Sequence, residues 1–410
     1  MWKVSTLAFA FLALIPGALA DPARHPFGQD HVAFPAGTLR PSKSVGDLDR
    51  AVGDFYNQWR TRYLIPGCKP DELRVKANAG AVGDRMTVSE GQGYGMVIVV
   101  RMAGHERYAQ AVFDALYRFA RRHPSRADPM LMGWSENRYC QDEREPGSAT
   151  DGDLDIAYAL LLADAQWGSD GAIDYRQESV RTLAAILRHT VDPATGVILL
   201  GDWVESDDPA AKGSRTSDWM IDHFRAFAAL DPASWTHVLD VHLGLVARLQ
   251  RTYAPKTGLL PDFITDFDTE PVPAPPNFLE AQTDGDYAWN ACRTPWRIGS
   301  DALVSGDPRS RAAVRKMSDW IRAATGGDPS KIVEGYKLDG SPLGSESSMA
   351  FAAPFALAAM STPGAQAWLD ALWDEIVAAP PEGYYPDSIK LQVMMAVAGA
   401  WWAPEGAATH

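Results

Sequence analysis

Three acidic residues of the sequence stand where an enzyme places reactive groups: Glu90, Asp151 and Glu280. Glu90 belongs to the segment SEGQGYGM at 89–96, in which Ser89 and Gln92 have the spacing of a capping box. Three glycines follow Glu90 at alternate positions, and each costs a helix about 1 kcal/mol relative to alanine. We therefore expect a helix that starts beside Glu90 and whose backbone another group approaches closely. The structural alternative is a glutamate that only complements the helix dipole.

Asp151 has a similar place in the segment ATDGDLDIAY, residues 149–158. Thr150 can cap a helix there, and Asp151 then lies in the first turn of a helix that continues as an apolar run. Three acids within five residues also resemble a calcium loop, but the EF-hand pattern requires further acids and a glycine at fixed offsets. The spacing therefore favours a helix start over a metal site.

Glu280 lies in the run NFLE, inside a polar and proline-rich insertion over residues 255–286. A lone glutamate in a loop is more often a solvated charge than a reactive group. Two carboxyl groups on either side of a glycosidic bond are nevertheless the minimum that its hydrolysis needs, because one donates a proton to the leaving oxygen while the other accepts one from water. For Glu90 to be the donor, its pKa must be raised, and burial beside Asp151 would act in that direction.

Helical patterns of two kinds supply the frame for these acids. Residues 109–120 repeat apolar side chains with a period of 3.6, which predicts an amphipathic surface helix, whereas residues 96–102, 156–163 and 391–402 are apolar on every side. Roughly ten to twelve such segments alternate, and strand patterns are scarce, so we expect an all-α toroid with an inner ring of helices inside an outer ring. Stacked helical repeats are the alternative, although no repeated motif supports them. In a toroid all inner helices start at one end, so Glu90 and Asp151 would face each other across one mouth.

The composition and the N-terminal segment limit the classes of protein to which this chain can belong. The chain has 410 residues with Lys+Arg 38 against Asp+Glu 52, a net charge of −14, and without a basic stripe this excludes a nucleic-acid partner. Residues 1–20 carry Lys3, an apolar run at 7–15 that is too short to span a bilayer, and an Ala-Leu-Ala cleavage site, which together predict a signal peptide. An uncleaved anchor is the alternative. No Ser/Gly-rich linker divides residues 21–410, which we expect to form one domain.

The cysteine count leaves the disulfide pattern open. An exported chain can form disulfides, but Cys68, Cys140 and Cys292 are an odd number, so at least one thiol stays unpaired. Cys68 with Cys140 is one possible pair, which the spacing alone does not select.

The motif segments resemble those of glycoside hydrolase family 8. Residues 89–96 and 149–157, with Trp167 downstream, resemble its two signature segments, and YAWNACRTPWR at 287–297 resembles its third conserved block. The resemblance implies an (α/α)6 barrel with six inner and six outer helices, an inverting mechanism and endo-attack on β-1,4-linked polysaccharides. It implies no cofactor.

The resemblance also implies a role for each acid. Glu90 matches the general acid, and Asp151 matches the aspartate that holds the central sugar and tunes the acid. The family's common base is an aspartate where this chain has Asn290, whose amide cannot take a proton from water. One subfamily has the same asparagine and places its base on a glutamate in the preceding insertion, which Glu280 matches. Two nearby acids are substitutes if the insertion aligns differently: Asp284 and Asp286.

Aromatic and polar side chains beside the motifs are candidates for sugar binding, since aromatic faces stack on pyranose rings. The set that we expect to bind substrate comprises Tyr94, Trp134, Trp203, Tyr287, Asn290 and Arg293. Core packing is the alternative for each ring, and Arg293 could instead fix Asp151.

The expected substrate is a β-glucan, placed ahead of chitosan, with a chitosanase of the same mechanism as the alternative. An inactive polysaccharide-binding protein is the alternative from another class, because Asn290 replaces the usual base. We expect a monomer that acts in the periplasm or outside the cell, with a polysaccharide as its partner and no membrane contact once the signal peptide is removed.

Overall fold

The structure is a computed structural model in which residues 22–77, 85–141 and 147–404 are described; the predicted signal peptide lies outside these ranges. The helices within them are α1 (Val45–Tyr63), α2 (Ser89–Arg101), α3 (Ala109–Arg122), α4 (Thr150–Trp167), α5 (Tyr175–His189), α6 (Ile221–Leu230), α7 (Pro232–Thr252), α8 (Thr294–Val304), α9 (Pro308–Thr325), α10 (Met349–Ala352), α11 (Pro354–Met360), α12 (Gln366–Ala378) and α13 (Tyr384–Ala398). The strands are β1 (Leu64–Pro66), β2 (Leu73–Val75), β3 (Arg85–Val88), β4 (Ser135–Asn137), β5 (Ser214–Arg215), β6 (Phe263–Thr265) and β7 (Val272–Pro273).

The helices form two concentric rings. The inner ring runs α2, α4, α6, α8, the pair α10 and α11, and α13, and each member packs against the next until α13 meets α2. Outside them lie α1, α3, α5, α7, α9 and α12, whose outward faces are polar. The described residues thus fill six inner and six outer positions, and the predicted (α/α)6 barrel is confirmed.

The apolar patterns correspond to the two rings for a simple reason. Nearly every side chain of α2, α4 and α13 is buried, as expected for helices that are apolar all round. In α3 only one face is buried, and its last turn carries Arg121 and Arg122. Hydrophobic burial therefore sorts the helices, because a helix that is apolar on most sides is most stable in the inner ring.

Small sheets lie at the end of the barrel at which α2 and α4 start. β3 pairs antiparallel with β4 directly before α2 begins, with Val88 opposite Ser135. The insertion 255–286 contributes β6 and β7, and β5 pairs with β6 to form a three-stranded sheet. Beneath that sheet is a small hydrophobic cluster, separate from the main core, of Leu200, Ala210, Phe263 and Ala274, with Val204 and Phe278 packed against it.

Both motif helices start where the sequence predicts, but their expected caps are wrong. Gln92 does not close a capping box: its amide oxygen accepts the Val75 N–H at 3.1 Å, and its amide nitrogen donates to the Leu116 carbonyl at 2.8 Å. Thr150 likewise donates its hydroxyl to the Leu199 carbonyl, at 2.7 Å, instead of capping α4. Gln92 and Thr150 therefore form hydrogen bonds with neighbouring elements of the fold, and not with the helix ends that the local spacing predicts.

The cysteines resolve into one pair and one thiol. Cys68 and Cys140 form a disulfide that joins the turn between β1 and β2 to the segment after β4, and Cys292 is a buried free thiol. Among the described residues, no helix combines the length and the apolarity that crossing a bilayer needs.

Candidate active site

Glu90 and Asp151 meet at one mouth of the barrel, as the sequence predicts. Each lies in the first turn of an inner helix, α2 or α4. One guanidinium nitrogen, Nη1 of Arg293, donates to Glu90 Oε2 at 2.5 Å and to Asp151 Oδ2 at 3.1 Å. The three groups therefore belong to a single site.

Glycines bring the two helix starts together. A Cβ added to Gly93 would lie 2.7 Å from the Asp155 Cβ, and one added to Gly152 would lie 2.6 Å from the carbonyl carbon of Ser89. Any larger residue at either position would push α2 and α4 apart. The sequence had indicated a close approach to the backbone of α2, and the approaching group is the neighbouring inner helix.

The backbone of the segment just before β4 fixes the start of α2. The N–H of Ser89 donates to the Trp134 carbonyl at 2.9 Å, next to the pairing of β3 with β4. Trp134 itself is half-buried beside this contact. The strand pair therefore sets the direction in which Glu90 leaves the barrel wall.

Arg293 lies in a 3-10 turn, Ala291–Arg293, immediately before α8, and its side chain is buried. Besides the two acids, it donates to Ser217 Oγ at 2.7 Å and to Asn290 Oδ1 at 3.1 Å. Arg293 thus contacts Asp151 directly, which was the alternative to its expected contact with the substrate. Asp262 stabilises the same turn, since its Oδ1 accepts the N–H groups of the three following partners: Ala288, Asn290 and Ala291, at 3.0, 3.1 and 2.6 Å.

The insertion reaches the same site through Glu280. Asn290 donates its amide to Glu280 Oε2 at 2.8 Å, and Arg215 donates to Glu280 Oε1 at 2.7 Å. The Glu280 side chain keeps 45% of its surface exposed, so water can reach it. Glu90 and Glu280 are thus joined through only two intervening side chains, those of Arg293 and Asn290.

The two substitute acids of the insertion have other partners. Both carboxylate oxygens of Asp284 accept backbone N–H groups, from Leu279, Glu280 and Ala281, at 2.7 to 3.0 Å. Asp284 is buried and holds the loop that presents Glu280. Asp286 faces the charges of Lys337 and Asp339 instead of the arginines of the site. Of these three acids of the insertion, Glu280 is the one placed beside Asn290.

Electrostatics separate the pKa values of the two glutamates. Burial raises the pKa of Glu90 to about 7, and the charge of Asp151 adds to this rise, while Arg293 and the Tyr384 hydroxyl oppose it. Partial burial acts to raise the pKa of Glu280 as well, but Arg215 and the Asn290 amide outweigh it, and that pKa lies below its usual range. Near neutral pH, one carboxyl can therefore carry a proton while the other is ionised.

The four predicted aromatic contacts divide into two classes. Tyr94 and Tyr287 have no exposed surface, so the prediction that their rings stack on a sugar is wrong for this structure. Tyr94 instead accepts a hydrogen bond from Arg293 at 3.3 Å, and Tyr287 packs against Phe351 in the core. Trp203 is 41% exposed and Trp134 is half-buried, so their contacts with a sugar stay predictions.

Three residues in contact with the site were missed from the sequence. Tyr384, the first residue of α13, donates its hydroxyl to Glu90 Oε1 at 2.5 Å. Tyr385 donates to the backbone carbonyl of Trp289 at 2.5 Å, and the Trp289 ring is 44% exposed beside Asn290. Trp289 stands inside the third motif and was detectable there, whereas the tyrosines carry no local signal because they lie about one hundred residues or more from their partners.

The other acids of the second motif point away from the mouth. Asp153 accepts the Met132 N–H at 2.8 Å, and Asp155 forms a buried ion pair with Arg297 at 2.6 Å and accepts a contact from His223 at 2.9 Å. The three carboxylates of the motif therefore serve three different parts of the fold, which does not fit a common metal loop.

One group of potential metal ligands occurs elsewhere in the described residues. Cys68, Glu72 and His123 bring their ligand atoms within 4.8 Å of one another. The sulfur of Cys68 is bonded to Cys140, and the Glu72 carboxylate pairs with Arg122 at 2.7 Å. These bonds give the group a structural role.

Comparison with known proteins agrees with this geometry. The family model described as glycosyl hydrolases family 8 matches residues 47–399. A β-glucanase of Niallia circulans is 40% identical over 403 residues, which cover 97% of this chain and 96% of that protein. An endoglucanase of Bacillus sp. (strain KSM-330) is 38% identical over 381 residues, covering 90% and 80% of the two chains.

Solved structures show the same fold. The apo structure of a β-1,3-1,4-glucanase from Paenibacillus sp. X4 superposes with a TM-score of 0.89 at 40% identity, covering 92% of this chain and 99% of that one. Rex8A from Paenibacillus barcinonensis, complexed with xylose, gives a TM-score of 0.74 at 20% identity, covering 90% and 98%. The second similarity extends to the fold alone.

Proposed function

The chain belongs to glycosyl hydrolase family 8, and from that premise we propose that it is an inverting endo-glucanase that cleaves β-1,4 linkages in a β-glucan. That it hydrolyses glycosidic bonds follows from the family and from relatives named β-glucanase and endoglucanase. The mechanism, the linkage and the residue roles are the proposal.

One observation carries the proposal: Arg293 and Asn290 connect a carboxyl group of raised pKa to one of lowered pKa. Glu90 is the general acid, since its raised pKa lets it hold a proton near neutral pH. Glu280 is the general base, since its lowered pKa keeps it ionised and its exposed surface admits water. Inverting glycosidases need this pair about 6.5–9.5 Å apart, with a water molecule between base and sugar.

The reaction follows from these roles. The proton of Glu90 passes to the glycosidic oxygen as the bond to the anomeric carbon breaks. Glu280 accepts a proton from water, and the resulting hydroxide oxygen bonds to the anomeric carbon on the opposite face, which inverts its configuration. Asp151 supports the positive charge that develops on the sugar and, as a neighbouring anion, favours the protonated form of Glu90.

Asn290 has a definite task in this scheme. An aspartate at this position would place a second negative charge 2.8 Å from Glu280, whereas the amide donates a hydrogen bond to Glu280 and accepts one from Arg293. The asparagine that departs from the family's common pattern therefore supports a base on the insertion.

The substrate and location are also proposals. A β-glucan is supported by the names of the relatives, while chitosan remains the second candidate because a chain of net charge −14 attracts a polycation. We propose a monomeric catalytic domain over residues 21–410 that is exported with the help of residues 1–20, whose charge and apolar run are typical of a signal peptide.

The test compares Glu90→Gln and Glu280→Gln with the wild type for release of reducing sugar from lichenan, carboxymethylcellulose and chitosan. We expect each variant to lose about 100- to 10,000-fold in kcat on the β-glucans, the usual contribution of general acid–base catalysis. Glu270→Gln is the matched control, because Glu270 lies on the same insertion with its side chain 75% exposed. NMR of fresh product should show the α-anomer first.

Three results would contradict parts of the proposal. Faster release from chitosan would overturn the substrate. An initial β-anomer would overturn the inverting mechanism. A wild type that binds lichenan without cleaving it, with Glu90→Gln binding equally well, would identify an inactive polysaccharide-binding protein.

A further inference from the structure

The base of the proposed mechanism lies on the insertion and not on the barrel, so its carboxylate has to be fixed from outside its own loop. Two elements do this: Asn290 holds Oε2 from the barrel side, and Arg215 holds Oε1 at 2.7 Å from β5. β5 is hydrogen-bonded to β6 of the insertion, with Arg215 opposite Phe263. Arg215 is therefore part of the same small sheet that carries the loop of Glu280.

Arg215 is itself held in place on two sides. Its guanidinium carbon lies 5.1 Å from the centre of the Phe263 ring, and its Nη1 is 3.4 Å from Oδ2 of the buried Asp218. Only 12% of the Arg215 side chain is exposed. Such a side chain has few alternative rotamers, so a hydrogen bond from it restricts Glu280 strongly.

The contacts of Arg215 continue to the acid side of the site. Asp218 accepts from Ser217 Oγ at 3.2 Å, and Ser217 Oγ accepts from Arg293 Nη2 at 2.7 Å. Arg293 in turn contacts Glu90. Glu280 is therefore tied to the barrel by two routes, one through Asn290 and one through Arg215 and the turn Thr216–Asp218.

The charges around Glu280 favour its ionised form. Arg215 is the direct cationic contact, and Arg293 adds a second positive charge, while Asp262 is an acid that interacts with Glu280 and Asp218 is one that pairs with Arg215. Of the cations, Arg215 has the larger influence on the pKa of Glu280, and it opposes the effect of partial burial. Removing its charge should raise that pKa.

We propose that Arg215 is a positioning residue for the general base, which fixes the plane of the Glu280 carboxylate and stabilises its charged form. This inference rests on the proposed role of Glu280 as base. A positioning residue changes the pH at which the base becomes active as well as the rate, whereas an arginine that only stabilises the fold leaves the pH profile unmoved.

The experiment measures kcat and kcat/KM against pH on soluble mixed-linkage β-glucan for Arg215→Met, Arg215→Lys and wild type. We expect Arg215→Met to lower kcat about 10- to 100-fold, the scale of a misplaced reacting group, and to move the acidic limb of kcat/KM upward. The limb moves in that direction because a base of higher pKa needs a higher pH to ionise. Arg215→Lys should restore the position of the limb, while kcat recovers in part.

A matched control removes a different arginine that pairs with the insertion. Arg248 lies 3.7 Å from Glu270, with 39% of its side chain exposed, and Arg248→Met should leave both kcat and the limb unchanged. If Arg215→Met does not fold, as judged by circular dichroism, Arg215→Gln gives the same readout, because it removes the charge but keeps a hydrogen-bond donor.

The outcomes separate this inference from the proposed function. An inactive Glu280→Gln together with an unmoved limb in Arg215→Met would overturn the role of Arg215 and leave the base assignment intact. An active Glu280→Gln would overturn the base assignment and this inference with it. If Arg215→Met loses the same factor in rate at every pH, the arginine only stabilises the fold and does not position the base.

Discussion

Glu90 is tuned by opposing neighbours. It lies at a helix start, where the dipole favours its charged form, and it contacts the cationic Arg293. Burial and the nearby Asp151 charge nevertheless prevail and raise its pKa to about 7. A carboxyl group held by cations can therefore still serve as an acid, provided that the site excludes enough water around it.

In the proposed mechanism, the pH dependence of kcat/KM follows from the protonation states of the two glutamates. Glu90 must be protonated, so activity should fall as the pH rises through its pKa of about 7. Glu280 must be ionised, so activity should fall on the acid side only below the ordinary glutamate value of 4.5. Because kcat/KM reports the free enzyme, initial rates at low concentrations of mixed-linkage β-glucan between about pH 3 and pH 9 are the measurement.

A control and a contrary result can both be stated for this profile. Enzyme returned from each pH to pH 6 should recover its activity, which separates titration from unfolding. A profile that stays flat to about pH 9 would mean that Glu90 does not donate the proton.

Among individual residues, the sequence predicts the acids at the helix starts better than it predicts the side chains that contact them. Glu90 and Asp151 are detectable because glycines and helix-start signals surround them. Tyr384 is separated from Glu90 by 294 residues, and no spacing rule joins the two. Tyr94 and Trp203 both lie in or near the motif segments of the sequence. Only the folded structure shows that the Tyr94 ring is buried and the Trp203 ring is exposed.

At the scale of elements, the packing of α2 on α4 places the two acids that the proposed mechanism uses. At their crossing, the Gly152 position faces the backbone of Ser89, one residue before Glu90. The separation of the two helices therefore sets the separation of Glu90 and Asp151. Local helix propensity argues against glycine here, so the close contact explains the residue better than the helix does.

Gly152→Ala should test this condition. Its Cβ would lie 2.6 Å from the Ser89 carbonyl carbon, so α2 must shift and carry Glu90 with it. We expect a loss of about 1–3 kcal/mol in the free energy of unfolding and a large fall in kcat, measured by chemical denaturation and by β-glucan hydrolysis.

Gly244→Ala is the matched helical control for this substitution. An added Cβ at Gly244 of α7 meets no atom within 4 Å, so alanine should stabilise the protein by about 1 kcal/mol and leave kcat unchanged. A Gly152→Ala variant that behaves like Gly244→Ala would show that the helix separation does not control the site.

Helix ends were predicted less well than helix interiors. The apolar run 391–402 reads as one buried helix, but α13 ends at Ala398 because Gly399 adopts a left-handed conformation, with φ of 92°. Ala400, Trp401 and Trp402 are also buried, so hydrophobicity continues although the helix does not. Burial and helicity coincide within the inner ring and separate at its ends.

The two ends of the barrel differ. We call the end that contains the candidate active site the working end, and the opposite end the closed end. Glu90, Asp151 and the insertion occupy the end where α2 and α4 begin. At the far end of α2, the buried Arg101 donates to the Trp402 carbonyl at 2.5 Å, and its guanidinium stacks 4.0 Å from the Trp401 ring. The segment after α13 thus closes the barrel opposite the site.

Replacing one tryptophan at each end by alanine should separate the effects on stability from the effects on substrate binding. Trp402 is 7% exposed and stacks on His25 with ring centres 4.5 Å apart, so Trp402→Ala should cost about 3 kcal/mol of unfolding free energy and leave KM nearly unchanged. Trp203→Ala should do the reverse, because its exposed ring lies at the working end: stability stays near wild type and KM for mixed-linkage β-glucan rises about tenfold, or about 1.4 kcal/mol. Chemical denaturation and steady-state kinetics on both variants give the comparison. Equal effects of the two substitutions on KM would contradict the division of the barrel into a closed end and a substrate-binding end.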